Sequence, residues 1–504
     1  MKEKGYAMIW KIVKKEFLLN ILTFKYITGT FMCMFLVITF LPVLISDYQK
    51  TLEAYNNNVA KNKAELRKVK CYWSLTPTIH RAPTLLSIFS RGLEQTIPDS
   101  TRIELSSKPA IQPSSKTENH YLSIFPNLDV SLIMKIIISL LALLMSYDVI
   151  SAEREHETLK LILSNKVSRA QVFIGKYLAG MITLIFSLLI AFSVAMLVLI
   201  FSPMIDIELS DWCRIGLMFF AYLLLVSAMY NVGLLFSCMI RKSSVCLVFS
   251  FICWVIFLFV IPNISQYLAS YILPLEPKEK IDVNVAALEE KRDNELMSLN
   301  DVVKKGNLWG GPDSFGGFCY DLCSPGPMKY LNECFIHNEP LKLKYAQNIW
   351  EIKDSYVKAL NKQRDLKKNI SRLSPVCIFE TITNTLANTD YESFRRYFEG
   401  LGDYRDGVID YIKNKTDNFH NIKYFTPGQT EQERKEYYET MEGRKKHFEN
   451  ITPLALDDFP GFVYQPRTIN ESIKIISYDL TIMFIVNILL FAVAYVVFLR
   501  CDVR

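Results

Sequence analysis

Cysteine and histidine recur in the second half of the sequence at a spacing that could hold a metal ion. Cys319-x3-Cys323 is followed by Cys334-x2-His337, and thiolates together with an imidazole suit a tetrahedral zinc site. In an oxidising compartment the same thiols would form disulfides, and we predict at least one disulfide and no metal site. Spacing leaves the pairing open. The cysteines concerned are Cys71, Cys319, Cys323, Cys334 and Cys377.

Sequence signatures of nucleotide binding and hydrolysis are absent from the chain. No GxxxxGK[ST] phosphate-binding loop occurs, because the glycines at 310–317 lack the lysine that must follow them. HExxH, GxSxG and DFG do not occur either. His156 has no second histidine at helical spacing, which indicates a solvated charged face rather than a metal ligand. We therefore predict no catalytic residue and no cofactor bound by this chain.

The segment Asp148–Lys176 combines charged residues with a helical apolar spacing. Glu153 and Glu155 precede Leu159, after which aliphatic side chains recur at i+3 and i+4. Two interpretations fit this pattern. A short helix could rest on the lipid surface, or it could dock on a partner protein with its apolar side chains buried and its charges orienting the contact.

Apolar runs on either side of that segment place it next to a membrane. About 20 apolar residues cross a hydrocarbon core of about 30 Å, and the sequence contains six such runs. With 50% hydrophobic and 21% charged residues and a mean hydropathy of +0.16, the chain is too apolar for a soluble protein and too polar to lie wholly in lipid. The predicted spans are 27–46, 132–150, 177–201, 214–238, 243–263 and 476–499.

Basic residues predict the orientation of these spans. The short segments 1–26, 151–176 and 500–504 are rich in lysine and arginine, whereas 202–213 contains neither. By the positive-inside rule, both termini are predicted to be cytoplasmic. The first segment is predicted to be an amphipathic helix in the inner membrane interface. The net charge of +6 on 504 residues is too small to indicate a nucleic-acid-binding surface.

Two long insertions, 47–131 and 264–475, are predicted to lie outside the cytoplasm. The predicted fold class is therefore an α-helical membrane protein with six transmembrane helices and a mostly helical extracytoplasmic domain built from the two insertions. Residues rich in Ala, Leu, Glu and Lys indicate helices there. These helices are predicted at 47–70, 276–305, 341–373 and 430–450.

The segment after span two resembles the permeases of type-2 ABC (ATP-binding cassette) exporters. In that family a pattern of the form YD…ExExGTLxLLLSxPVSRxxxxxGKxLAG joins spans two and three, and this sequence follows it from Tyr147 to Gly180. Glu157 stands where the family usually has glycine, and Lys166 stands where proline is common. The likeness covers nearly the whole chain. Shorter matches suggest a subgroup with an enlarged outer domain, and they are Leu373-Ser374-Pro375, Leu386-Ala387-Asn388-Thr389-Asp390, Asp458-Phe459-Pro460-Gly461-Phe462 and Phe498–Arg504.

The resemblance implies a transport subunit of a bacterial inner membrane with no catalytic activity of its own. It implies a second permease, identical or homologous, and an ABC ATPase dimer that holds ATP and magnesium. Closure of that dimer would displace the segment 151–176, which is expected to be the coupling loop. A charge at Leu159, as in Leu159→Asp, is then expected to release the ATPase. The residues that match the family segment at the ATPase interface are Glu153, Glu155, Thr158, Leu159, Ser164 and Arg169.

Other functions stay open alongside export. A mechanotransmission subunit would use the partner's ATP hydrolysis to drive outer partners without passing a substrate through the membrane. A membrane-anchored sensor or scaffold would also carry helical outer domains, although six spans exceed what anchoring requires. A membrane-embedded enzyme would need ionisable residues at bilayer depth, and the spans are almost free of them. If the protein exports a substrate, the apolar spans favour a lipid, a peptide or another amphiphile over a small ion.

Overall fold

In the computed structural model, six helices among the described residues are long and apolar enough to cross a membrane, as predicted. In chain order they are spans one to six: Phe24–Leu66, Val130–Glu155, Arg169–Ile200, Leu209–Met239, Ser243–Ile272 and Ile469–Arg500. The structure describes residues 2–94, 97–109, 129–164, 167–202, 207–305, 325–421, 424 and 453–501.

Helices form most of the regular structure, in the spans and outside them. Two short strands, β1 (Thr78–His80) and β2 (Ser100–Arg102), pair antiparallel with His80 opposite Ser100, and this pair was not predicted. The helices are α1 (Lys2–Ile21), α2 (Phe24–Leu66), α3 (Val130–Ser146), α4 (Ser151–Glu155), α5 (Thr158–Ser164), α6 (Arg169–Ile200), α7 (Leu209–Met239), α8 (Ser243–Val255), α9 (Ile261–Ile272), α10 (Lys278–Lys305), α11 (Pro325–Ser371), α12 (Pro375–Leu386), α13 (Tyr391–Thr416) and α14 (Ile469–Arg500).

The helix of span one continues far beyond the membrane. α2 has 43 residues, which at 1.5 Å per residue make it about 65 Å long, or about twice the thickness of the hydrocarbon core. Its first half is apolar and its second half is polar. The predicted extension of span one into the first insertion is therefore present.

Local capping residues explain where two of the spans begin. The carboxylate of Asp129 accepts a hydrogen bond from the backbone N–H of Leu132 at the start of α3. Ser168 and Gln171 form a reciprocal capping box at the start of α6. Because this cap precedes the apolar run, the helix of span three begins several residues before the predicted membrane segment.

Span five contains a π-helical turn at Ile256–Val260, between α8 and α9. Pro262 lies in the first turn of α9 and has no backbone N–H. The carbonyl oxygen one turn before it therefore lacks its usual helical donor, and the backbone widens at this point. The turn leaves carbonyl groups of span five available to other elements.

The centre of the bundle is formed by α7, which packs along α14 and α3. Asn231 of α7 and Asn487 of α14 face each other, with Asn231 Nδ2 at 3.4 Å from Asn487 Oδ1. Side-chain amides paired in this way hold helices together where water is excluded. Gly180 of α6 allows Tyr230 of α7 to approach, because a Cβ at Gly180 would overlap the phenol oxygen.

The two insertions form one domain with a shared core, which we call the outer domain because it lies beyond the ends of the spans. Ile79 and Ile103 of the first insertion pack with Phe394 and Leu401 of α13, which belongs to the second insertion. Another apolar cluster joins the segment around Tyr72 to the C-terminal half of α13. The outer domain is mostly helical, as predicted, and the small β-pair is its departure from that prediction.

α12 packs inside the bundle although it belongs to the outer domain. Phe379 and Leu386 have no exposed surface and lie in the same apolar core as the spans. Ser374 caps α12 by accepting a hydrogen bond from Val376 N, and its hydroxyl donates to Phe257 O in the π-helical turn at 2.7 Å. The segment Leu373-Ser374-Pro375, one of the shorter family matches, therefore joins the outer domain to span five.

α10 and α11 pair as a helical hairpin, in which Ile281 packs against Ile349. α10 lies where it was predicted, but α11 begins at Pro325, earlier than predicted. The physical reason is that proline is tolerated in the first turn of a helix, and Pro340 lies within α11 without ending it. The predicted helix at 430–450 lies outside the described residues.

Candidate functional site

All the residues that match the family segment lie at one end of the bundle. We call this the short-loop end, defined by α1, residues 147–164 and 167–169, and the C-terminus of α14. The other end, which carries the outer domain, is the domain end. The helix α6 contacts both terminal helices at this end. Its Lys176 pairs with Glu16 of α1, and its Arg169 donates to a carbonyl group at the end of α14.

Lys176 is the centre of a buried ion cluster that joins three helices. Its side chain is 5% exposed, and its Nζ lies 2.8 Å from Glu153 Oε1 of α4 and 3.2 Å from Glu16 Oε1 of α1. A buried ammonium group has lost its hydration, and the two carboxylates compensate for that loss only while the three groups stay together. Displacement of α4 would therefore move α1 and α6 with it or break the cluster.

The two residues after Glu153 bind backbone groups of spans four and five. Arg154 Nη1 donates to Cys238 O at 2.9 Å, at the end of α7, where free carbonyl groups favour a cation. Glu155 Oε2 accepts from Ser243 N at 3.0 Å, at the start of α8, where free N–H groups favour an anion. α4 therefore contacts the ends of two more spans.

The other matched polar residues make local contacts or bind the end of span six. The hydroxyl groups of Thr158 and Ser164 donate to backbone carbonyls within residues 153–161, at 3.3 and 2.8 Å. Arg169 Nη1 donates to Leu499 O and to Cys501 O, both at 2.9 Å. Arg169 therefore holds the start of α6 against the C-terminus of α14.

Leu159 was expected to contact the ATPase, but its side chain is buried within the bundle. Its side chain is 1% exposed and belongs to the apolar core of the bundle. Leu161 is 68% exposed on the same short helix. In this structure Leu159 is therefore occupied by contacts within the chain, and Leu161 is the leucine that a partner can reach.

A left-handed residue at Glu157 separates α4 from α5. Its φ is +58°, a conformation that glycine adopts freely and that costs other residues about 1–2 kcal/mol. This left-handed backbone gives a physical reason why the family that the segment resembles usually has glycine where this chain has Glu157. The turn between the two short helices also allows α5 to direct Leu159 towards the bundle.

A half-buried ion pair connects span one to the end of span two. Lys25 Nζ lies 2.6 Å from Asp148 Oδ2 and 5.1 Å from the ring centroid of Tyr147. Both Tyr147 and Asp148 belong to the family pattern. This contact adds span one to the set of helices that the short-loop end holds together.

A second buried polar cluster lies at the domain end, around Arg214 of α7. Arg214 is 4% exposed, and its Nη1 donates to Leu386 O at 2.8 Å and to Ser472 Oγ at 3.2 Å. Its Nη2 donates to Arg467 O. Sequence reasoning placed Arg214 only at the boundary of span four, because its acceptors lie 172 to 258 positions further along the chain.

The cysteines named in the disulfide prediction are only partly described. Cys71 and Cys377 carry free thiols, and Cys334 is buried. Burial raises the pKa of Cys377 to about 11, so its thiol is protonated at neutral pH. Cys319 and Cys323 lie outside the described residues, so the disulfide stays a prediction. In the described ranges, no group of three or more histidine, cysteine, aspartate and glutamate residues could hold a metal ion.

The family assignment follows from a match over almost the entire sequence. The profile of the family described as ABC-2 family transporter protein matches residues 10–503. The chain belongs to this family, and the resemblance stated above is confirmed. With its six apolar helices, it is an integral membrane permease of the ABC class. Among curated proteins, none has a matching sequence.

Proposed function

We propose that this protein is the permease subunit of an ABC exporter that couples ATP hydrolysis on a partner ATPase dimer to the export of an amphiphilic substrate. ATP and magnesium would be held by the partner, and a second permease, identical or homologous, would complete the transport unit. One observation carries the proposal. Residues 148–164, together with Arg169, are bound on one side to α1 and to spans one and three to six, while exposed side chains of α4 and α5 form the other side. A partner that moves this segment would move several spans together.

Leu161 is the proposed anchor for the ATPase. It is 68% exposed, and exposed polar residues lie on both sides of it in α5. An apolar residue within a polar rim is typical of the centre of a protein interface. Leu161 therefore takes the docking role that sequence reasoning gave to Leu159. The exposed polar residues of the same surface are Glu155, Glu157, Thr158, Lys160 and Ser164.

The docking role is tested by Leu161→Asp. Burying an unpaired carboxylate in the partner's pocket should cost about 2–3 kcal/mol and reduce the ATPase that co-purifies with the permease by about a hundredfold. Val463→Asp is the matched control, because Val463 is 77% exposed at the domain end. Membrane abundance of both variants should equal that of the wild type. If Leu161→Asp recovers as much ATPase as Val463→Asp, the proposed docking surface is wrong.

The proposal also requires the short-loop end to face the cytoplasm, as the basic residues predict. Single cysteines introduced at Lys160 and Lys358 would report the two sides, because both side chains are exposed. In intact cells a membrane-impermeant maleimide should label the Lys358→Cys site only, and permeabilised cells should show both. Labelling of Lys160→Cys in intact cells would contradict this orientation.

Mechanotransmission is a second candidate function, favoured by the contacts between span five and the outer domain. Gln363 of α11 donates to Leu273 O at the end of α9 at 2.8 Å, and Ser374 binds Phe257 O in the π-helical turn at 2.7 Å. Movement of span five would therefore move α11 and α12. In liposomes that contain the permease and its ATPase, ATP-dependent movement of a labelled lipid across the bilayer supports export. An ATP-dependent distance change between α10 and α13 without any transport supports mechanotransmission.

A further inference from the structure

A cavity of about 1300 Å³ lies in the outer domain, beside the outer ends of spans one and four. Its wall is formed by α2 beyond the membrane, the segment around β1, the first turns of α7, part of α13 and the irregular segment 454–469. Pockets for small ligands usually have volumes of about 300–1000 Å³. This cavity has room for a larger molecule.

The cavity is long because one face of α2 lines it from Tyr48 to Leu66. At 1.5 Å per residue, that face is about 27 Å long. Tyr48 follows directly on the apolar run of span one, and Asp211 and Arg214 in the wall belong to the first turns of span four. The cavity therefore begins at the membrane boundary and extends outwards, which suits an elongated chain better than a compact solute.

Aromatic side chains form much of the wall. Tyr404 OH donates to Pro460 O at 3.0 Å and so holds the segment 454–469 against α13. Phe462 packs edge-on against Tyr397 and Tyr404, with ring centroids 5.9 and 5.5 Å apart. Burial raises the pKa of Tyr404 to about 12, so the phenol is neutral. Such rings offer apolar faces with occasional hydroxyl groups. The rings in the wall beyond Tyr48 are Tyr55, Tyr397, Tyr404, Phe459, Phe462 and Tyr464.

Most of the buried cations in the wall already have partners. Arg81 pairs with Glu94 at 2.7 Å, and Arg467 pairs with Asp390 at 3.2 Å. Arg214 is held by the carbonyl and hydroxyl oxygens described above. These groups shape the wall without offering a free charge to a ligand.

The exposed charges differ between the two ends of the cavity. Lys63 and Arg67 are exposed at the far end, and neither makes an ion pair within the described part of the chain. Asp457 is the carboxylate in the wall at that end, so two cations stand against one anion. At the membrane end, Glu208 is exposed and Asp211 is half-buried, whereas the guanidinium groups of Arg214 and Arg467 are buried. An elongated anion is therefore favoured with its charge at the far end.

We propose that this cavity binds an anionic amphiphile, with the apolar chain along the aromatic wall and the anionic group at Lys63 and Arg67. Tyr397 supplies a further polar contact: it is 1% exposed, and its hydroxyl has no hydrogen-bond partner among the described residues. A bound carbonyl or carboxylate oxygen would satisfy that hydroxyl. A bilayer lipid and a free exported amphiphile share this chemistry. The inference rests on the proposed export function only for its biological purpose, because binding itself requires no ATPase.

Equilibrium binding of a dansylated undecanoate to the full-length permease in phosphatidylcholine nanodiscs tests the proposal. The wild type should bind saturably above empty nanodiscs, and the methyl ester of the probe should bind at least about tenfold more weakly. Lys63→Glu with Arg67→Glu should weaken carboxylate binding at least about tenfold. Lys61→Glu with Lys68→Glu is the matched control on the same helix, because both lysines are exposed and neither lines the cavity.

Two further variants test the wall of the cavity. Val59 lines the cavity and is 39% exposed, so Val59→Trp should fill the space without disturbing the core and abolish saturable binding. Tyr397→Phe should weaken binding while leaving thermal unfolding unchanged or at a higher temperature, because it removes an unpartnered buried hydroxyl. Any of three results would overturn the proposal. The probe and its methyl ester bind equally well, the cavity double variant and its control double variant weaken binding equally, or Val59→Trp binds the probe as well as the wild type does.

The same experiment identifies the source of the ligand and shows whether probe binding is independent of ATPase binding. Competition when phosphatidylglycerol is added to the nanodiscs would identify bilayer lipid as an occupant, and absence of competition would identify free amphiphiles. The cavity variants should retain wild-type amounts of co-purified ATPase, whereas Leu161→Asp should lose the ATPase and retain probe binding. A permease that binds ATPase but no probe would overturn this inference alone.

Discussion

The short-loop end and the domain end each hold a buried cation, but by different means. Lys176 is neutralised by Glu153 and Glu16, which lie on two other helices. Arg214 is held by the backbone of α12 and of the segment before α14, with the Ser472 hydroxyl and the Asn388 side-chain oxygen as further acceptors. A full charge compensates a buried cation strongly, and its loss leaves an uncompensated charge. Neutral acceptors compensate less, but a planar guanidinium fixes the direction of several backbone segments at once. The first cluster is suited to linking helices that move, and the second to holding the outer domain on the bundle.

Lys176→Met should have a large effect and tests the charged cluster directly. It leaves Glu153 and Glu16, which are 18% and 20% exposed, close together without a cation, which should lower the free energy of unfolding by about 3 kcal/mol. Thermal unfolding of the purified permease, followed by helical circular dichroism, measures the loss. Lys176→Met combined with Glu153→Gln and Glu16→Gln should recover most of it. A single variant as stable as the wild type would show that the cluster does not hold α1 and α4.

The paired changes Leu159→Ala and Leu161→Ala sharpen the account of the short-loop end. Leu159 is 1% exposed, so its truncation should create a cavity and cost about 2–5 kcal/mol. Leu161 is 68% exposed, and its truncation should change the stability of the permease by less than about 0.5 kcal/mol. The same unfolding assay measures both. Equal effects of the two changes would contradict the burial described for α5.

Arg214→Met tests the neutral cluster, with a smaller expected effect than Lys176→Met. Buried oxygens left without a donor should cost about 1–3 kcal/mol, and no unpaired charge remains. Arg214→Lys should recover only part of that loss, because one ammonium group cannot reach acceptors on three segments in the guanidinium geometry. Limited proteolysis of the outer domain provides a local readout. Complete rescue by lysine would show that charge alone, and not the fork of donors, holds the domain.

Glu157→Gly should have the smallest effect and the opposite sign. Removing the left-handed strain of about 1–2 kcal/mol, less the additional glycine entropy of about 0.5–1 kcal/mol, should raise the free energy of unfolding by at most about 1.5 kcal/mol. The exposed pair that Glu157 makes with Lys160 is worth little. His156→Gly is the control, because His156 has a φ of −91° and should lose stability. A loss in both variants would contradict the strain at Glu157.

Much of the fold could be predicted from the sequence because its strongest signals are local. A span needs only a sufficient run of apolar residues, and all six were found in the structure. The extension of α2 and the helix α10 follow from helix-forming composition in the same way. The pattern from Tyr147 to Gly180 also identified the family, which the match over residues 10–503 confirms.

The helix α11 and the strands β1 and β2 show where local signals were insufficient. The helix was predicted to begin at 341, yet it begins at Pro325 and contains Pro340. The strands have three residues each and depend on pairing with one another, which local propensity does not display. Their position was set by the apolar core that the two insertions share.

The sequence by itself determined the membrane class, the number of spans and the segment that carries the family pattern, because each depends on residues close together in the chain. Only the tertiary structure decided what those residues contact. Leu159 and Leu161 are equally apolar and two positions apart, and the turn at Glu157 with the packing of α5 buries one and exposes the other. Arg214 binds groups up to 258 positions away, and the cavity in the outer domain is formed by segments from both insertions. Such contacts depend on the free energy of packing over the whole chain, which no local pattern records.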